Sequence, residues 1–149
     1  MERKVIENIK ENIEKVIIGK DKVINLLLTA MLAESHVLID DVPGMGKTKL
    51  ARAMACSISA DFKRIQFTPD LQPADITGIY YYNQKLGDFS FRPGPVLSNI
   101  ILADEINRAV PRTQSSLLEA MEEKQVSIEG ELFKLDEPFM VIATQNPIE

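Results

Sequence analysis

An apolar run at residues 37–39, Val-Leu-Ile, stops at two aspartates and turns through Pro43-Gly44-Met45-Gly46 into Lys47-Thr48 and a helix-like stretch. Few arrangements use these residue types in this order. A strand that ends in glycines and reopens as a helix gathers backbone N–H groups at a helix N-terminus, where an anion is favoured. The glycines remove side chains that would block the approach. Lys47 supplies a point charge for β- and γ-phosphates, and the Thr48 hydroxyl supplies a magnesium ligand. The candidate cradle comprises Val42, Pro43, Gly44, Met45, Gly46, Lys47, Thr48 and Lys49. The full pattern G-x-x-x-x-G-K-[ST] asks for glycine at position 41, where Asp41 stands. A dinucleotide fingerprint fits less well, because its third glycine falls on Lys49. The plainer alternative is a tight strand-to-helix turn carrying an incidental lysine.

The rest of the chain sets this turn in a repeating rhythm. Residues 2–18 carry an apolar stripe of Val5, Ile6, Ile9, Ile13, Val16 and Ile17 at helical spacing. A second helix is predicted over 21–33, with Val23, Ile24, Leu27, Leu28, Met31 and Leu32 turned inward. Strands are predicted at 36–40, 63–67, 100–104 and 139–143. Helices are predicted at 47–57 and 111–124, the latter with Leu117, Leu118 and Met121 facing inward. Apolar strands alternating with helices imply a parallel sheet covered on both faces. Two segments depart from the rhythm. Residues 79–92 have aromatic arms around Asn-Gln-Lys-Leu-Gly-Asp, and residues 126–135 turn at Glu129-Gly130. Both read as β-hairpin insertions.

The strand at 100–104 ends in Asp104-Glu105. Ligands of open α/β sheets bind beyond the carboxyl ends of parallel strands. Charge left unpaired there is costly, so the pair needs a partner. A nucleotide-bound metal is one: Asp104 would hold Mg²⁺ through water, and Glu105 would polarise the attacking water. The last strand runs on to Asn146, whose amide can orient that water. An Asn-Pro turn is compatible with the same role. Three strand tips thus carry the parts of an ATP site, with Lys47, Glu105 and Asn146 as the candidate catalytic residues and Thr48 and Asp104 as metal ligands.

Bulk composition narrows the classes. Seventeen basic against 22 acidic residues give a net charge of −5, which disfavours nonspecific nucleic-acid binding. No run approaches the roughly 18 apolar residues of a membrane span. No signal-like apolar core opens the chain, so a cytoplasmic setting is expected. The single cysteine, Cys56, excludes an intrachain disulfide and reads as a small apolar helix residue. The single histidine, His36, reads as structural or surface rather than metal-binding.

The stretches HVLIDDVPGMGKTKLA, RIQFTPDLQPADITG, FRPGPVLSNIILADEINRAVPRTQSSLLEAMEEKQV and PFMVIATQNPIE, with VIIGKDKVI near the start, resemble the MoxR family of AAA+ ATPases. The resemblance covers nearly the whole chain, and aspartate at position 41 is common in that family. It implies a phosphate-loop, three-layer αβα sandwich with a mostly parallel sheet. N-terminal helices would occupy 1–35 and a nucleotide-binding core 36–149. It implies ATP or ADP with Mg²⁺ as cofactors and a ring homo-oligomer, commonly a hexamer. It also implies a partner with a von Willebrand factor A domain and chaperone-like remodelling of a protein client. Residues 79–92 resemble the family's helix-2 insert, and 126–135 the hairpin before sensor 1. Asn146 matches sensor 1, and Val16–Gly19, including Ile18 and Gly19, matches the adenine-contacting stretch. Gln66 is a candidate restraint on Glu105. Arg108 and Arg112 lie too early for an arginine finger and are left as candidate interface residues.

The family pattern continues past Glu149 with a fifth core strand, an arginine finger and a helical lid with sensor 2. The expectation is therefore a partial nucleotide-binding domain, slow in hydrolysis and prone to self-association along the edge at 36–40. Two alternatives remain at this point: a nucleotide-binding switch without efficient hydrolysis, and a DNA-remodelling AAA+ protein.

Overall fold

The computed structural model describes residues 1–40 and 46–146. Its centre is a four-stranded parallel sheet of β1 (Val37–Asp40), β2 (Phe62–Gln66), β5 (Ile100–Asp104) and β8 (Met140–Gln145), in the order β1-β8-β5-β2. β1 and β2 are edges among the described strands, and Leu38 on β1 is 58% exposed.

The two central strands are buried along their length, and their side chains alternate between faces. Ile100, Leu102, Met140 and Ile142 pack beneath α1 (Glu2–Glu14), α2 (Asp21–Leu32) and α3 (Lys47–Ser57). Ile101, Ala103, Val141 and Ala143 pack on the opposite side with Leu117 and Ala120 of α5 (Pro111–Glu123) and with Ile76 of the short α4 (Pro73–Thr77). A three-layer αβα arrangement results, as the alternating pattern implies.

The two departures from the rhythm are antiparallel hairpins. β3 (Gly78–Asn83) pairs with β4 (Asp88–Pro93), and β6 (Gln125–Ile128) with β7 (Glu131–Lys134). Glu129 and Gly130 both take positive φ, 49° and 84°, the backbone of a two-residue hairpin turn. Phe91 of the first hairpin stacks on Phe133 of the second at 4.9 Å, and Tyr80 donates its hydroxyl proton to Glu131 at 2.8 Å. The insertions therefore lean on one another.

Several sequence expectations need correction. α1 ends at Glu14, and its stripe is covered unevenly: Ile13 and Ile17 are buried and Ile9 packs partly buried against the core, while Val5 and Val16 are exposed. Leu32 and Leu118 face outward, at 59% and 51% exposure: Leu32 ends α2, and Leu118 lies off the face that Thr113, Leu117 and Ala120 bury. Cys56 is on α3 but exposed. α4 was not anticipated, since five residues are too few for periodicity to show.

Candidate active site

Parallel pairing puts all four carboxyl strand ends on one side of the sheet. Gln66 lies opposite Asp104 in register, and Asp40 opposite Gln145. α3 begins on the same side. Gly46, immediately before it, adopts φ +66°, the left-handed conformation that costs glycine least. Having no side chain, Gly46 places no cap over the first turn. The rest of the candidate loop, Val42, Pro43, Gly44 and Met45, lies outside the described residues.

Lys47 opens α3 and directs its ammonium across to β5, 3.0 Å from Asp104 Oδ1. Asp104 is buried, and its carboxylate is fully engaged. Thr144 donates its hydroxyl proton to Oδ1 at 2.7 Å, and Arg64 Nη2 donates to Oδ2 at 2.6 Å. Burial alone would push the Asp104 carboxyl up. The hydrogen bonds from Thr144, Arg64 and Lys47 outweigh that and hold it below the usual carboxylate range.

Glu105 stands one residue on, in left-handed backbone at φ 55°. Its own N–H is anchored on Thr144 Oγ1 at 2.9 Å. Three side chains hold its carboxylate. Asn146 Nδ2 donates to Oε1 at 3.1 Å, Gln66 Nε2 to Oε2 at 2.9 Å, and Arg108 to Oε2 at 3.0 Å. The Arg108 hydrogen bond, followed by that of Asn146, lowers the Glu105 carboxyl from its ordinary value. Both acids are thus ionised at neutral pH, each beside a cation.

The structure therefore brings Lys47, Asp104, Glu105 and Asn146 together, with Gln66 on Glu105 as the sequence suggested. Thr48 follows Lys47 in the first turn of α3, half-buried, while Lys49 is exposed. A Thr48 hydroxyl and an Asp104 carboxylate are hard oxygen donors, the chemistry that magnesium takes. Ile18 and Gly19 sit in the turn after α1, Ile18 at 85% exposure and Gly19 at φ +79°. No hydrogen bond among the described residues ties them to the acidic cluster.

Arg64 and Thr144 escaped the sequence reading. Arg64 stands on an edge strand, where an arginine ordinarily meets solvent. Thr144 is a common strand residue, yet it is fully buried and serves both acids at once. Arg108 pairs with Glu105, and Arg112 donates to Gln72 Oε1 at 2.9 Å. His36 accepts the Val141 N–H at Nδ1, 2.9 Å away, and sets its ring edge against Phe139. That is the structural role expected of it.

A family model described as "ATPase family associated with various cellular activities (AAA)" matches residues 36–149. A Bacillus subtilis (strain 168) protein named YeaC is 58% identical over 139 residues, 93% of this chain and 43% of its own. Chaperone MoxR1 of Mycobacterium tuberculosis is 45% identical over 149 residues, which is 100% of this chain and 38% of its own. Among solved structures, a Cytophaga hutchinsonii protein superposes with a TM-score of 0.90 at 47% identity, covering 99% of this chain and 44% of that one. The chain spans about two fifths of the length of these curated relatives, 43% and 38%.

Proposed function

The chain belongs to the MoxR family of AAA+ ATPases, and we propose that it binds Mg–ATP and hydrolyses it to drive remodelling or assembly of protein partners. One observation carries this reading. A lysine at a helix N-terminus pairs with an aspartate at the tip of a central strand, and the glutamate that follows that aspartate is held by an asparagine past the tip of the neighbouring strand. Few functions other than handling a nucleotide's phosphates use that set together.

In this reading residues 42–49 cradle the phosphates, with Lys47 leaving Asp104 to meet the β- and γ-oxygens. Thr48 and, through water, Asp104 would hold Mg²⁺, which would supply positive charge against the phosphoryl oxygens. Glu105 accepts the proton of the attacking water, and Asn146 fixes its position. Ile18 and Gly19 contact adenine. ADP and phosphate are the products. Around this site the reading extends to a cytoplasmic ring, commonly hexameric, with a partner carrying a von Willebrand factor A domain. No helix among the described residues is long and apolar enough to cross a membrane.

Isothermal titration with Mg–ATP tests the proposal. Lys47→Ala abolishes binding. Glu105→Gln keeps binding and removes turnover in a single-turnover assay. Normal hydrolysis by Glu105→Gln would overturn the role of Glu105, and unchanged binding by Lys47→Ala the whole site.

A second reading, a nucleotide switch without efficient turnover, is favoured by one feature. Glu105 has three donors on its two oxygens and is not poised to take a proton. An arginine finger is worth about 10³–10⁵ in related phosphoryl transfers. Slow single-turnover hydrolysis beside tight equilibrium binding would select the switch.

A further inference from the structure

Arg64 bonds both Asp104 and the glutamine that holds Glu105. β2 alternates sides, so residues 64 and 66 project the same way from the sheet edge. One guanidinium nitrogen, Nη2, spends its two N–H groups on two acceptors: Asp104 Oδ2 at 2.6 Å and Gln66 Oε1 at 2.7 Å. Gln66 Nε2 then donates to Glu105 Oε2 at 2.9 Å. An unbroken chain of hydrogen bonds runs Asp104–Arg64–Gln66–Glu105. Its direction is fixed by chemistry. A guanidinium has only donors and an ionised carboxylate only acceptors. The Gln66 amide must therefore turn its oxygen to Arg64 and its nitrogen to Glu105.

We propose that Arg64 is a positioning residue that couples the pairing state of Asp104 to the restraint on Glu105. The inference rests on the reading of Asp104 as the metal-side and Glu105 as the water-side carboxylate. With Asp104 fully committed to Arg64, Thr144 and Lys47, Arg64 is pinned and holds the Gln66 amide in the orientation that ties Glu105. When Asp104 turns part of its charge toward a divalent cation, its grip on Arg64 weakens, and the like charge of the cation disfavours the guanidinium nearby. The Gln66 amide then loses the donor that orients it. Glu105 Oε2 keeps Arg108 alone, and the carboxylate is freer to take a proton from water. Glu105 is in this way held while the metal side is empty and loosened as it fills.

The coupling is measured in the nucleotide-free 149-residue chain from the side-chain amide resonance of Gln66 by ¹⁵N NMR. Asp104→Asn is expected to shift that resonance in the wild-type background and to leave it unmoved when Arg64→Met is also present. An equal shift with and without Arg64, or no shift in the wild-type background, would overturn the proposal. The Arg64 side chain is 45% exposed, so its truncation leaves no buried void. Arg64→Gln, which cannot serve as a cation, provides the second background. A further readout is Mn²⁺ affinity in the presence of ATP. Arg64→Met is expected to raise it about two- to fivefold, the scale of a partly exposed ion pair removed from Asp104. Unchanged affinity would show that Arg64 does not compete for Asp104. Absence of any Mg–ATP binding by the wild-type chain would instead refute the proposed function and leave the NMR coupling to be judged on its own result.

Discussion

Replacing Thr144 with valine keeps the side chain's shape and removes one hydroxyl. Thr144 is fully buried, and that hydroxyl makes two bonds: it donates to Asp104 Oδ1 at 2.7 Å and accepts from the Glu105 N–H at 2.9 Å. A hydrogen bond to a charged group is worth about 1.5–3 kcal/mol, and a donor stranded by deletion costs about 1–3 kcal/mol. Lys47 still lies 3.0 Å from the same Asp104 oxygen, so the carboxylate end falls at the low side of its range. The two ends together give a loss of about 3 kcal/mol. With a urea m-value of roughly 2 kcal/mol/M, the midpoint of unfolding should fall by about 1.5 M. Glu105 sits in left-handed backbone, which a non-glycine residue holds only when its surroundings insist. Loss of the Thr144 anchor should therefore also loosen Glu105 from Asn146 and Gln66. Thr144→Ser is the control. It keeps both bonds and loses a methyl group, for about 1 kcal/mol. A valine variant whose midpoint matches the serine variant, with m unchanged, would refute the reasoning, because the hydroxyl would then carry no stability.

Other outcomes follow from single contacts. His36 accepts the Val141 N–H, and partial burial lowers its pKa from the ordinary value, with the Lys124 charge adding to the effect against a backbone contact at Met121 that raises it. The unfolded chain therefore binds the proton more readily. The stability involved is present above about pH 6.5 and is lost as pH falls through the lower folded value. Urea midpoints at pH 7.5 and 5.5 should differ, and His36→Gln should flatten the difference, cleanly so because His36 is the sole histidine. A Cβ at Gly94 would collide with the Ile76 carbonyl oxygen and come within 2.6 Å of the Gly78 nitrogen. Gly94→Ala should cost about 2–3 kcal/mol by overpacking the base of the first hairpin, seen as a lower melting temperature. Phe133→Ala removes the 4.9 Å stack on Phe91 and should lose about 0.5–1.5 kcal/mol beyond the area term, with Phe91→Ala non-additive in a double-mutant cycle.

What the sequence revealed of this site was the chemistry that sits at ends. Asp104 and Glu105 close an apolar run, Lys47 follows a glycine-rich turn, and Asn146 stands just past the last strand; a charge beside an apolar run is conspicuous because burial there is costly. What it hid was chemistry inside strands. In Phe62-Lys63-Arg64-Ile65-Gln66 the arginine looks like any edge-strand charge, and its partner lies forty residues away in sequence. Only the pairing of β2 with β5, which sets Arg64 opposite Leu102 and Gln66 opposite Asp104, brings the Arg64 guanidinium within reach of Asp104, and pairing order is a property of the whole sheet. The period-2 rule gave a faint signal, since it sets Arg64 and Gln66 on one side. Thr144 is subtler still. Threonine favours strands for its branched shape, and nothing local distinguishes a packing threonine from one whose hydroxyl sits one step past the Ala103–Ala143 pair. α4 had a legible mark that periodicity overlooks. Gln72, Pro73 and Asp75 form a capping box with proline in the first turn, and Gln72 N–H is bound to Asp75 at 2.8 Å. The hidden residues are thus those whose partners are fixed by tertiary register. In this protein they are also the ones whose hydrogen bonds join the two acids to each other, so the connections of the candidate site lie in the fold while its candidate reactive groups lie in the motifs.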